Sequence, residues 1–178
     1  AYAVGAGGQK SFITEANYIC RPNNWTVKLN TAYEPQYAAA GPVGLVDHIY
    51  GSTNWRMGNW QGYQKTPVDA VVDLGRLQPV STVTIRFLQD TRSWIVMPKK
   101  VTVSVSADGL QFDPVYTGTD FIPVENLEPT IRKVEARFSA TPVRYVRVQA
   151  EQYGTLPAWH EGAGGVFDGL GEPQEDGL

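Results

Sequence analysis

Val80-Ser-Thr-Val-Thr-Ile-Arg-Phe-Leu88 is the stretch on which the fold turns. Val83, Ile85 and Phe87 share one face, and the period of two is that of a half-buried strand, not of a helix. Val101-Thr-Val-Ser-Val-Ser-Ala107 repeats the pattern and runs into Asp108-Gly109, a hairpin-turn dipeptide. Val134-Glu-Ala-Arg-Phe138 and Val143-Arg-Tyr-Val-Arg-Val-Gln149 alternate in the same way, and 26–30 and 69–75 are shorter runs of the same kind. Their β-branched residues suit a pleated, buried face. No segment carries a useful apolar stripe at helical spacing, and residues 36–40 supply at most one helical turn. Strands at close spacing without intervening helices predict an all-β, antiparallel sandwich.

The rest of the composition agrees. The chain has 178 residues, the size of one domain, with 18 glycines and 12 prolines, an excess that makes many turns. Its net charge of −3 argues against a cationic nucleic-acid binder, because phosphate contacts need a basic surface. No apolar run approaches a membrane span. A single cysteine, Cys20, cannot close an internal disulfide, and two histidines, His48 and His160, cannot make a three-histidine metal centre. Low charge and many aromatics suit a secreted, periplasmic or cell-surface domain. The start at Ala1 is expected of a processed or excised chain. Residues 1–25 read as a tail or linker, 26–170 as the domain and 171–178 as a frayed acidic tail.

An ordered series of motifs runs through the chain: Leu45-Val-Asp-His-Ile-Tyr-Gly-Ser52, Trp60-Gln-Gly-Tyr63, Ala70-Val-Val-Asp-Leu-Gly75, Phe87-Leu-Gln-Asp-Thr-Arg-Ser-Trp94, Val103-Ser-Val-Ser-Ala-Asp-Gly109, Val143 to Gln149 and Leu156-Pro-Ala-Trp-His160. The series resembles the discoidin, or coagulation factor 5/8 type C, domains. It is most similar to the family 32 carbohydrate-binding modules attached to bacterial glycoside hydrolases of the β-hexosaminidase kind. The resemblance implies a jelly-roll sandwich of about eight strands, no catalysis, a ligand site on the loops at one end and a structural calcium ion nearby. The family's metal loop, an Asp followed five residues later by Ser or Thr, maps to Asp47 and Ser52. Calcium is a hard cation that takes six to eight oxygens. Two positions depart from the family: His48 stands where it has Gly, and Gly169 where a final strand supplies Glu, so Asp168 becomes the substitute ligand.

No catalytic signature is present: no nucleophile elbow, no zincin helix, no phosphate-binding glycine loop. The tryptophans are more telling. Trp55, Trp60, Trp94 and Trp159 lie in or beside the connections 53–63, 89–94 and 155–161, which a sandwich can gather at one end. A sugar packs its C–H face on an aromatic plane while polar groups fix its hydroxyls. Arg92 and Trp94 are therefore the first candidates for sugar contact, then Trp55 and His160, then Arg56 and Tyr63. Each has a plainer alternative. Arg92 could pair with Asp90, Trp94 could plug the core, and a loop histidine such as His160 is commonly structural. Trp60 is expected in the core and Trp159 partly buried.

The expected function is thus a non-catalytic domain that anchors a partner enzyme or a cell surface to galactose- or N-acetylhexosamine-type glycans. The rival is a structural or protein-interaction sandwich packing on a neighbouring domain, since exposed aromatic loops also mark interfaces. A sandwich hydrolase or lyase ranks third.

Overall fold

The computed structural model describes residues 2–13 and 23–163. The fold is all-β, with no α-helix among those residues. Five antiparallel strands, β1 (Thr26–Leu29), β2 (Val68–Gln89), β3 (Lys100–Ser106), β4 (Asp113–Gly118) and β5 (Thr130–Glu151), pair in the order β1-β2-β5-β3-β4. No helix among the described residues is long and apolar enough to cross a membrane.

Five strands stand where about eight were expected, because two of them do double duty. β2 and β5 have 22 residues each and pair along their whole length, from Val68↔Ala150 to Gln89↔Thr130. The runs 69–75 and 80–88 both belong to β2, and 134–138 and 143–149 both belong to β5. The ribbon is not straight. Val72 and Ile85, thirteen residues apart on β2, would stand roughly 43 Å apart in an extended strand. Both pack on one cluster of Val103, Val105, Ala136, Val143 and Val146. The ribbon therefore folds over and encloses that core between its halves. The bend falls at two register shifts, between Asp73 and Gln78 and between Val80 and Thr82. Gly75 takes φ +79° there, and Pro79 opposes Pro142, where neither can donate to the ladder.

β3 and β4 form the hairpin foreseen at Asp108-Gly109. Gly109 adopts φ +79°, and Asp108 Oδ1 accepts from the amides of Leu110 and Gln111. β4 itself was not foreseen. Asp113, Pro114 and Gly118 dilute its pattern, and Pro114 is tolerated because β4 is an edge strand. Cross-strand charge pairs fix the ribbon's register. Arg147 grips both oxygens of Asp69 at 2.9 and 2.6 Å, and Arg144 grips both of Asp73 at 3.0 Å.

Residues 2–13 carry a local turn of their own. Val4 bridges Lys10, and Ser11 N donates to Ala3 O across a glycine turn. Asp168, Gly169 and the tail 171–178 lie outside the described residues.

Candidate functional site

Folding the ribbon over carries both of its open ends to one end of the sandwich. Gln89, at the close of β2, donates through Nε2 to Pro123 O at 2.8 Å and to Asn126 O at 3.1 Å. Thr91 Oγ1 donates to the same Asn126 carbonyl. The connections after β2, after β4 and after β5 therefore meet. The long connection before β2 joins them, because Trp55 and Trp60 pack on Leu88 and Ile95.

At the centre is His160, 6 % exposed. Its Nε2 donates to Thr91 O at 2.8 Å, and its Nδ1 accepts from Gly162 N at 3.0 Å. These partners place the proton on Nε2 and leave neither ring nitrogen free to bond a sugar hydroxyl. Trp94 leans on it edge to face at 5.8 Å, donates through Nε1 to Glu161 and holds φ +64°. A left-handed tryptophan is strained and needs its surroundings to fix it. Gly162 is part of that fixing, since a Cβ there would come within 3.2 Å of the indole.

Two groups flank the His160–Thr91 bond and face solvent. Trp159 is 52 % exposed, and its ring stands 5.6 Å from His160. Arg92, on the short 3-10 turn Thr91–Ser93, is exposed and has no hydrogen bond or ion pair among the described residues. Asp90, offered above as its partner, instead accepts from Ser93 Oγ at 2.8 Å. Sequence reasoning ranked Trp94 above Trp159. The signal it lacked is the bond between residues 69 positions apart that turns the neighbouring indole outwards.

The other candidates are more enclosed. Trp55 packs on the Leu88–Ile95 cluster, meets Tyr37 edge-on at 5.9 Å and carries the Arg56 guanidinium over its face at 4.2 Å. Its ring is not an open platform, and Arg56 is already engaged with it. Trp60 is a core plug as expected. It donates to Ser52 O at 2.7 Å and lies so close to Gly51 that a Cβ there would fall 2.3 Å from the indole. Tyr63, expected as a loop contact, is interior at 8 % exposure and donates to Gln61 Oε1 at 2.6 Å. Burial pushes its phenol up to about 12, with Tyr33 adding to the shift.

Of the metal candidates, Asp47 is buried at 8 % and borders a hollow of about 160 Å³ shared with Ala39, Ala40 and Gly44. Its Oδ1 accepts from Ile49 N at 2.8 Å. Ser52 does not line that hollow, and its hydroxyl bonds Asn54 O and N. No cluster of three or more His, Cys, Asp or Glu suited to a metal occurs among the described residues. His48 holds φ +65°, the left-handed region, which gives a physical reason for glycine at that place in the domains this chain resembles.

Comparison with known proteins bears on the same architecture. No curated protein matches the sequence. Among solved structures, chitosan-binding module 1 from a chitosanase/glucanase of Paenibacillus sp. IK-5 is 18 % identical, with 85 % of this chain and 93 % of that one aligned at a TM-score of 0.50. The Clostridium perfringens module CpGH89CBM32-5, in complex with GalNAc-β-1,3-galactose, is 15 % identical over 83 % of this chain and 91 % of its own, at 0.48. A Ruminococcus gnavus GH29 fucosidase aligns over 71 % of this chain but only 22 % of its own length, at 13 % identity and 0.46. The family model for the F5/8 type C domain matches residues 22–164, most of the sequence. The chain belongs to the F5/8 type C domain family.

Proposed function

We propose that this domain is a non-catalytic carbohydrate-binding module that holds a glycan at its loop end. The observation that carries the reading is the pair flanking the His160–Thr91 bond: a half-exposed indole, Trp159, and an exposed guanidinium, Arg92, without a partner among the described residues. A pyranose needs both. Its C–H face lies on the ring, and two neighbouring hydroxyls accept from the fork of donors. Trp94 and His160 hold the two contact groups in place. Few groups are enclosed, so one site binds weakly, on the order of 0.1–1 mM. Such affinity serves an anchor that raises the local concentration of substrate for a tethered catalytic domain. The ligands we assign are galactose- or N-acetylhexosamine-type glycans, met outside the cytoplasm.

The test is titration of tryptophan fluorescence with galactose, N-acetylgalactosamine, N-acetylglucosamine and their oligosaccharides. Trp159→Ala and Arg92→Ala each lose ~1–3 kcal/mol of binding, roughly five- to 150-fold, with the fold intact. Parent-like binding by both variants refutes the site.

We also propose calcium at the hollow beside Asp47. One buried carboxylate with the carbonyls of the surrounding turns is a suitable hard-oxygen set. The ion would hold the turn and take no part in sugar contact. A melting temperature raised by calcium and lowered again by chelator supports it, and identical curves refute it.

One observation favours the interaction reading. Tyr50 and Met57 are both about two-thirds exposed, with Leu45 and Ile49 beside them in sequence. A neighbouring domain covering these residues would leave Trp159 and Arg92 idle, so parent protein that binds no glycan decides for it.

A further inference from the structure

The loop end has a second concavity. It lies between Met97–Lys99 ahead of β3, Thr119–Glu125 after β4, and Tyr153 after β5, and encloses about 330 Å³. Pro98, Phe121 and Tyr153 give it apolar and aromatic surface, with Phe121 held edge-on by Phe87 at 6.4 Å. Two charged groups and one phenol border it. Lys99 can only donate, the ionised Glu125 can only accept, and Tyr153 can do both. None of the three side chains has a hydrogen bond or ion pair among the described residues, although the Glu125 charge, after burial, helps to raise the Tyr153 phenol. Gly154, at φ +90°, leaves room for the lysine, since a Cβ there would sit 3.1 Å from Lys99 Nζ.

We propose that this groove is a second sugar position, which takes another residue of the glycan held by Trp159 and Arg92, so that the domain reads an oligosaccharide. The proposal rests on the carbohydrate reading above. Its chemistry is that of hydroxyls on a ring with one apolar face. Neighbouring hydroxyls both donate and accept, so they can satisfy an ammonium and a carboxylate at once. A hydrocarbon ligand would leave both charges desolvated and unpaired, and a phosphate would meet Glu125. The volume lies at the lower end of small-molecule pockets. The walls of the groove are also tied to the elements that carry the first position. Tyr153 and Trp159 sit on one connection, and the wall residue Pro123 is tied through Gln89 to the segment that carries Arg92.

The experiment measures affinity for galactose, N-acetylgalactosamine and N-acetylglucosamine, and for the di- to tetrasaccharides of each. The parent and the variants Tyr153→Ala, Glu125→Gln and Trp159→Ala are compared, with melting curves as a folding control. The parent gains about tenfold or more between monosaccharide and oligosaccharide in at least one series. Tyr153→Ala and Glu125→Gln lose that gain and keep the parent's monosaccharide affinity, whereas Trp159→Ala loses both. Glu125→Gln preserves shape at an exposed position, so it reports even where Tyr153→Ala fails to fold. Parent-like oligosaccharide binding by Glu125→Gln and every folded groove variant, or a parent without length dependence, overturns the groove and leaves the first position standing. A parent that binds no sugar in the panel overturns both.

Discussion

The folded ribbon and the loop end use the same residue types in opposite ways. Along the ribbon, each carboxylate meets a cation. Asp69 is held by Arg147, Asn30 and Gln149, and Asp73 by Arg144. Glu135 lies between Lys133 and Arg137, whose hydrogen bonds hold its carboxyl down at about 2. At the loop end, Arg92, Lys99 and Glu125 have no such partners among the described residues, and a tryptophan faces water. The difference does not come from slack loops. His160 is bonded at both nitrogens, and Gln89 clamps the 123–126 turn. The body ties its carboxylates internally to fix register, and the end presents unpaired charges on a fixed frame, the preorganisation that the proposed binding would use.

The comparison breaks most visibly in the core. Val103 is fully buried in the cluster that both halves of the ribbon share. Val103→Ala costs ~1.5–3 kcal/mol, a melting temperature lower by roughly 4–10 °C. A loss under about 0.5 kcal/mol would mean that the two halves do not close on one core.

A smaller effect is expected where the ribbon pairs its charges. The Arg147 hydrogen bond leads the interactions that lower the Asp69 carboxyl, outweighing the burial that raises it. A carboxyl depressed on folding contributes stability above its unfolded value of about 3.9, and that contribution is lost as pH falls through the lower folded value. Asp69→Asn therefore weakens the protein by ~1–3 kcal/mol at neutral pH. The variant also flattens the fall in stability below about pH 4. Urea unfolding from neutral to acid pH reads both, and equal acid slopes for parent and variant would remove Asp69 from the account.

The smallest effect on stability belongs to the loop end. Arg92→Ala and Trp159→Ala shift unfolding by no more than about 0.5 kcal/mol. A larger loss at either position would make that residue part of the frame.

The body was legible in sequence because a period of two is local: Val80–Leu88, 101–107 and 143–149 each declare a buried face without reference to anything else. The continuity of β2 through Gly75 and Pro79 was not legible, since it depends on β5 bringing Pro142 opposite. The gathering of connections 53–63, 89–94 and 155–161 follows from sandwich geometry, but the ranking of their tryptophans does not. Which of Trp94 and Trp159 faces outwards is set by a hydrogen bond across 69 residues and by the room at Gly162. Tyr63 carried no local sign of burial either.

The most direct test of the central claim is residue-resolved mapping of amide shifts while the 178-residue chain is titrated with the best-binding glycan of the panel. The account predicts saturable changes at 91–94 and 157–162, extending to 97–99, 119–125 and 153–154 with oligosaccharides, and a quiet ribbon. Changes centred on the Asp69–Arg147 face of the sheet, or spread evenly over the molecule, would contradict it.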